Sequence, residues 1–328
     1  MIFDPPIMAL LLASAVSMAV LAYGALFALR VLRFWDPASG HARQIAMEKQ
    51  TWLVSTAIRL VMLLQLAALI LFVHNADRMA VLFTGAMCAL GTINVNGYGM
   101  PAFLLQIAVF FTASVWLIVN AADAAAPDYP LTRPKYALLL LLAPLVLAAG
   151  ILQWLYFLNL DPNVITSCCS KLFTPEGAGI QADLASADPK LALQALFGGL
   201  GMLLALAPLA MRRRAWAIVF GLAGAVFFVV AIVAIISAVS SYIYEAPTHH
   251  CPFCIMKPQY GFIGYALYLP LFSATAISLG VASLTALTKA QRPSARVRRL
   301  TMLAAALFAL FGLVSLDAIL TSHLILIG

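Results

Sequence analysis

The residues with the clearest capacity for chemistry are two histidines and two cysteines at 249–254, where the sequence is His-His-Cys-Pro-Phe-Cys. Cysteines separated by two residues can form a disulfide, exchange with another thiol pair or bind a metal. Proline inside the motif favours the first turn of a helix. A Cys251 thiolate at a helix N-terminus, next to a protonated His250, would have a lowered pKa. The motif predicts a reactive pair, with Cys251 attacking and Cys254 resolving.

The chain has five cysteines, and the other three are a vicinal pair, Cys168 and Cys169, and an isolated Cys88. Neighbouring cysteines rarely bond each other without strain, and strained disulfides are the labile ones. The vicinal pair could therefore relay electrons to Cys251 and Cys254 as a shuttle, or bond permanently to them and brace two loops. Cys88 is open to three interpretations: a resolving thiol, a further metal ligand or a small buried apolar side chain.

A metal site is an alternative use of the same side chains. Soft thiolates select Cu(I) or Zn(II), and imidazole nitrogens suit both metals. The candidate ligands are Cys168, Cys169, Cys251, Cys254, His249 and His250, with Met256 as a further possible ligand. Other chemistry is excluded at the level of motifs: Ile255 follows Cys254, so the Cys-x-x-Cys-His motif for covalent haem is lacking, as are Walker and His-Glu-x-x-His motifs.

The composition determines the class of protein that must position these groups. The chain has 328 residues, of which 64% are hydrophobic and 9% charged, with a mean hydropathy of +1.01. A soluble protein has about 25% charged residues. The composition therefore predicts an integral membrane protein in contact with the lipid bilayer. The net charge of +7 does not indicate nucleic-acid binding, because most basic residues lie in short loops between apolar runs.

Eight apolar runs are long enough, at about 20 residues, to cross a bilayer. They lie near 7–32, 52–74, 101–121, 136–159, 191–211, 215–240, 263–287 and 300–326. We therefore predict an all-α polytopic membrane protein that forms a single integral membrane domain over residues 1–328. Two charged residues fall well inside these runs, several residues from either end. Arg59 can extend toward the inner surface, whereas Asp317 is a candidate for a functional role, because buried charge in a membrane is costly.

Basic residues concentrate in alternate loops, which predicts how the chain crosses the membrane. These loops carry Arg30, Arg33, Arg43, Lys49, Arg133, Lys135, Arg212, Arg213, Arg214, Lys289, Arg292, Arg296, Arg298 and Arg299. The positive-inside rule places them in the cytoplasm and both termini outside. All five cysteines then lie outside, which in a bacterial inner membrane is the oxidising periplasm.

Three outer segments, residues 75–100, 161–190 and 241–262, are expected to form a periplasmic cap. The first contains a short apolar piece, residues 79–90, too short to span the membrane. We expect it to be an interfacial or re-entrant helix that carries Cys88.

The stretch Cys251-Pro252-Phe253-Cys254-Ile255-Met256 resembles the Cys-Pro-aromatic-Cys-aliphatic-Met stretch of bacterial vitamin K epoxide reductase homologues. Those membrane proteins pass electrons from periplasmic thiols to quinone. The resemblance implies thiol–disulfide chemistry with a lipid quinone as acceptor, and it gives Cys168 and Cys169 the part of the family's second cysteine pair.

Three functions follow from the sequence as hypotheses. The first is a thiol–disulfide oxidoreductase linked to quinone. The second is a component that handles copper or zinc through the cysteines and histidines. The third is a non-catalytic subunit whose disulfide-braced cap docks a periplasmic or membrane protein partner.

Overall fold

The computed structural model describes residues 4–36, 41–126, 128–166, 187–288 and 291–324, and its regular elements within these ranges are helical. The helices are α1 Pro5–Phe34, α2 Ala42–Met79, α3 Ala89–Ile93, α4 Gly99–Ala124, α5 Thr132–Leu158, α6 Pro189–Ala210, α7 Arg214–Ala234, α8 Ser240–Tyr244, α9 Ile263–Leu287 and α10 Ala295–Thr321. A π-helical segment, Ile235–Val239, joins α7 to α8.

Eight helical segments of the described chain are long and apolar enough to cross a membrane, which confirms the all-α polytopic class. The span that contains α7 runs without a break through the π-helical segment and α8, from Arg214 to Tyr244. Large apolar side chains such as Val226, Leu313 and Leu320 are exposed on these helices. This is the arrangement expected where lipid, and not water, surrounds the helices.

The helix boundaries differ from the hydropathy pattern at the second span. Helix α2 begins at Ala42 and not near residue 52, because residues 42–51 are rich in strong helix formers although they are polar. The Gln44 side chain donates to Glu48 at 3.0 Å across one helical turn. The expected helix over 79–90 is absent from the described structure: a 3₁₀ turn, Ala80–Leu82, and an irregular stretch precede the short helix α3.

Contacts within the chain divide it into two compact units. Unit 1 comprises Met1–Ala76 and Ile93–Pro162, and unit 2 comprises Asp77–Thr92 and Asn163–Gly328. In unit 1, helix α5 packs against α1 and α4, and Tyr136 on α5 bonds to Ser55 on α2 at 3.1 Å.

Polar groups inside unit 1 bond to each other across helices. Gln106 on α4 donates to Gln153 on α5 at 2.5 Å, and Gln153 donates to the carbonyl of Leu10 on α1 at 3.0 Å. These bonds are the usual use of glutamine between membrane helices.

In unit 2, helix α7 packs between α6 and α9, and α10 packs on α9. Small residues allow the close approach of α7 and α9: a Cβ atom at Gly221 would overlap Ala282, and one at Gly224 would overlap Ser278. Phe227 on α7 contacts Phe308 on α10 edge to face, with ring centroids 5.4 Å apart. The packing leaves the loop 245–262 at one end of the unit, between α8 and α9.

Candidate functional site

Three cysteines that are far apart in sequence meet in unit 2. The Sγ atoms of Cys88, Cys251 and Cys254 all lie within 4.8 Å of one another, and those of Cys88 and Cys251 are 3.4 Å apart. The exposed fractions of the three residues are 0%, 1% and 7%. None of the three belongs to a disulfide in the described chain. We refer to them as the three-cysteine cluster.

The Cys88 side of the cluster is shaped by a tight turn and a capped helix. Gly85 has a φ of 87°, and a Cβ atom there would overlap the carbonyl of Thr166. Both the backbone conformation and this close approach therefore require glycine. Cys88 immediately precedes α3, and the amide of Ala89 donates to the Asp77 carboxylate at 3.2 Å. This bond satisfies one of the amides that a helix start leaves without an intrahelical partner.

Thr166 ties a second segment to both sides of Cys88. Its amide donates to the carbonyl of Thr84 at 3.0 Å, and its hydroxyl donates to the carbonyl of Gly91 at 2.9 Å. Thr166 itself is 7% exposed. The predicted site residues Cys168 and Cys169 follow it in the sequence but lie outside the described residues.

Two tyrosines from membrane-spanning segments hold the turn at 251–254. Tyr244, the last residue of α8, donates to the carbonyl of Cys251 at 2.5 Å, and Tyr268 on α9 donates to the carbonyl of Pro252 at 2.8 Å. Because each bond is made to the backbone between the two cysteines, the pair of tyrosines fixes the turn without using either thiol. Sequence patterns did not identify these tyrosines; their position at the ends of apolar spans is the signal that was available.

The helix expected to start at the Cys-Pro-Phe-Cys motif starts later in the structure. Cys254–Met256 forms a single 3₁₀ turn, Pro258–Tyr260 forms another, and α9 begins only at Ile263. Lys257 has a ψ of 156°, the extended conformation that a following proline imposes. Pro258 therefore interrupts the helix, and Cys251 has no helix N-terminus to stabilise its thiolate.

The electrostatic environment of the thiols follows from this geometry. Hydrogen bonding to Cys254 and burial raise the pKa of the Cys251 thiol. For Cys254, the hydrogen bond with Cys251 lowers the pKa, but the interaction with Cys88 and burial raise it by more. The predicted lowering of the Cys251 pKa was wrong, because neighbouring sulfur and burial take the place of the expected helix dipole.

The two histidines lie beside the cluster but do not share its centre. The Nδ1 atom of His250 is 3.0 Å from the carbonyl of Ile236, in the π-helical segment, and 3.2 Å from the Ser241 hydroxyl. His249 packs edge to face on Tyr244, with ring centroids 4.1 Å apart, and burial followed by the charge of His250 lowers its pKa. In the described chain, the group of ligand atoms within 4.8 Å contains only the three sulfurs.

Lys257 connects the two halves of the cluster. Its ammonium donates to the carbonyl of Met87, next to Cys88, and lies 3.8 Å from the Asp77 carboxylate. The side chains of Lys257 and Asp77 are 23% and 36% exposed. This partly solvated pair therefore joins the segment that carries Cys254 to the segment that carries Cys88.

The other predicted site residue, Asp317, lies on an exposed face of α10, one turn before its end at Thr321.

Comparison of the chain with protein-family models, curated proteins and solved structures gave no match.

Proposed function

We propose that the protein is a multi-pass membrane thiol–disulfide redox protein whose exchange centre is the three-cysteine cluster. The observation that carries the proposal is the 3.4 Å distance between the Sγ atoms of Cys88 and Cys251, with Cys254 in the same group. Three thiols in mutual reach are the minimum for a disulfide to move from one pair to another inside a single chain.

In a form with a Cys251–Cys254 disulfide, the Cys88 thiolate attacks the sulfur of Cys251. A Cys88–Cys251 disulfide forms, the Cys251–Cys254 bond breaks, and Cys254 leaves as a thiolate that takes up the proton lost by Cys88. A disulfide requires an S–S distance of about 2.05 Å. The two sulfurs, which are 3.4 Å apart, must therefore move together, which a side-chain rotation can achieve.

Forming the first disulfide removes two electrons and two protons from Cys251 and Cys254. A lipid quinone, which takes up two of each, is the class of acceptor that we propose. The burial of the three residues supports a small acceptor, or a neighbouring segment of the same chain, over direct attack by the thiols of a folded partner protein. In this proposal Cys168 and Cys169 are the second pair that exchanges with the cluster, and the cluster faces the periplasm of a bacterial inner membrane.

Disulfide trapping tests the proposal. We expect the Cys254→Ser variant, treated with a mild oxidant in detergent, to form a Cys88–Cys251 disulfide that peptide mass spectrometry identifies. The matched control is the double variant Cys254→Ser/Cys88→Ser, in which Cys251 has lost both partners in the cluster. A redox titration of the unmodified protein should show two-electron oxidation of Cys251 and Cys254. Thiols that stay reduced throughout the titration, with no trapped Cys88–Cys251 bond, would refute the proposal.

A further inference from the structure

The arrangement of the three sulfurs also has the geometry of a metal site. A metal ion about 2.3 Å from each of three sulfurs, in their plane, requires S–S distances of about 4.0 Å. The three Sγ atoms lie within 4.8 Å of one another, and the shortest measured pair is 3.4 Å apart. Adjustments of less than about 1 Å, within the range of side-chain rotation, would make the three distances equal.

The ligand set selects the type of metal. All three atoms are thiol sulfurs, and thiolates favour soft ions such as Cu(I) and Zn(II). Structural zinc sites almost always have four ligands, and catalytic ones complete the fourth position with water. In the described chain the group contains no fourth ligand atom, and exposures of 0%, 1% and 7% leave water little access. A three-sulfur site closed to water fits Cu(I), which is stable with three soft ligands.

The surroundings of the cluster suit a thiolate–metal unit with a net negative charge. The bonds from Tyr244 and Tyr268 fix the backbone of the turn that carries Cys251 and Cys254. The Lys257 ammonium, bonded to the carbonyl that precedes Cys88, places positive charge beside the thiolates. Three thiolates with one Cu(I) carry a net negative charge, and a nearby ammonium reduces the cost of burying it.

We infer that the reduced cluster is a Cu(I) site with Cys88, Cys251 and Cys254 as its three ligands. The inference goes beyond the redox proposal and does not depend on it, although both use the same side chains. The two states exclude each other: binding needs all three sulfurs reduced, and either a Cys251–Cys254 or a Cys88–Cys251 disulfide removes two ligands. Oxidation of the cluster therefore releases the metal.

A Cu(I) titration tests the site. The protein is the full chain with Cys168→Ser and Cys169→Ser, reduced and kept without oxygen in detergent, and the competitor is the coloured Cu(I) chelator bicinchoninate. We expect one Cu(I) per chain and X-ray absorption showing three sulfurs at about 2.3 Å. Adding Cys88→Ser should weaken binding by more than about 100-fold, since changes to residues behind the ligands already cost about 10- to 100-fold.

Met256→Leu is the matched control, because it removes a neighbouring sulfur while keeping an apolar side chain of similar size against Gly264. We expect its Cu(I) affinity to be unchanged. Loss of binding in Met256→Leu, full binding in Cys88→Ser, or tight binding of Zn(II) with no binding of Cu(I) would each overturn the inference.

The two proposals fail in different experiments. If the reduced protein does not bind Cu(I) but Cys254→Ser forms the Cys88–Cys251 disulfide, the metal site is wrong and the redox proposal stands. If Cu(I) binds through three sulfurs and no disulfide forms under oxidation, the redox proposal is wrong and the metal site stands.

Discussion

Each of the two units buries a polar centre. The centre of unit 1 is a charged pair with many hydrogen bonds, and the centre of unit 2 is a group of thiols. In unit 1, Asp123 and Lys135 form an ion pair of 2.7 Å, with their side chains 0% and 4% exposed. The carboxylate also accepts from the amide of Leu131 at 2.8 Å and the hydroxyl of Thr132 at 3.0 Å, and Lys135 donates to Asn120 at 3.2 Å. In unit 2, the three sulfurs lie within 4.8 Å of one another, and those of Cys88 and Cys251 are 3.4 Å apart.

The difference shows why burial of a polar group does not by itself indicate function. Asp123 and Lys135 each have several bonds, so a ligand or proton could reach them only by breaking the network. The thiols are weak donors and weak acceptors, and their mutual contacts leave the capacity to form a covalent or metal bond. This contrast is the reason that we propose chemistry at the three-cysteine cluster and a stabilising role for the ion pair.

The largest expected effect is loss of stability from the ion pair. Asp123→Ala leaves the Lys135 ammonium buried without its counter-charge, which costs about 3–5 kcal/mol. We expect a much lower midpoint in thermal or denaturant unfolding of the protein in detergent, with no change in disulfide trapping among molecules that remain folded.

Two control variants separate the effect of the buried charge from the effect of losing a side chain. The double variant Asp123→Leu/Lys135→Met removes both charges and should recover part of the lost stability. Recovery is incomplete because the Leu131 amide and the Thr132 hydroxyl still lose their acceptor. Cys88→Ala should cost only about 1 kcal/mol, a usual value for one substitution, because a buried thiol behaves as a small apolar side chain. If Cys88→Ala destabilises as much as Asp123→Ala, the three-cysteine cluster stabilises the fold, which would contradict the difference between the two centres.

An intermediate effect is expected at the tyrosines that hold the turn. Tyr268→Phe leaves the carbonyl of Pro252 without its donor, which costs about 1–3 kcal/mol if no water replaces it. Because the turn is then less fixed, trapping of the Cys88–Cys251 disulfide should be slower and alkylation of Cys251 faster. Tyr265→Phe is the matched control on the same helix, since the ring of Tyr265 packs on Phe262; it should leave both rates unchanged, and equal effects would contradict the proposed positioning.

The smallest effect is expected at Lys257. Its pair with Asp77 is partly exposed, so we expect it to contribute about 0.2–1 kcal/mol. Lys257→Met should increase the alkylation rate of Cys88 a few-fold, and salt should produce a similar increase in the unmodified protein through screening. A double-mutant cycle with Asp77→Asn isolates the contribution of the pair. An alkylation rate that is independent of both salt and Lys257 would show that the two segments are held together by packing alone.

The eight spans could be predicted from the sequence because the length of an apolar run is a local property. It can be read from that run without knowing the rest of the structure. It did not predict the beginning of α2, since hydropathy is insensitive to polar residues with high helix propensity. Lys135 was counted among the loop charges because it falls just before an apolar run. Its partner Asp123 lies just after the preceding apolar run. Their pairing depends on how two helices pack together, which hydropathy does not predict.

The candidate site was predicted in part for the same reason. Cys251 and Cys254 form a local motif, and their closeness in space could be predicted because only two residues separate them. The third sulfur, from Cys88, is far away in the sequence, and an isolated cysteine in an apolar segment has no pattern that distinguishes a ligand from a packing residue. The meeting of Cys88 with Cys251 and Cys254 agrees with the predicted gathering of the cysteines. The side of the membrane on which they lie stays a prediction, as does the position of Cys168 and Cys169, which are outside the described residues.

The π-helical segment Ile235–Val239 gives the membrane helix an extra residue in one of its turns just before Tyr244. Winding the same residues as a regular α-helix would rotate everything beyond them about the helix axis, because each α-helical residue turns the chain by about 100° and each π-helical residue by less. The Tyr244 hydroxyl, which donates to the carbonyl of Cys251, would then point to a different side of the helix. A single extra residue in a buried turn of this membrane helix therefore determines the direction from which the turn that carries Cys251 and Cys254 is held.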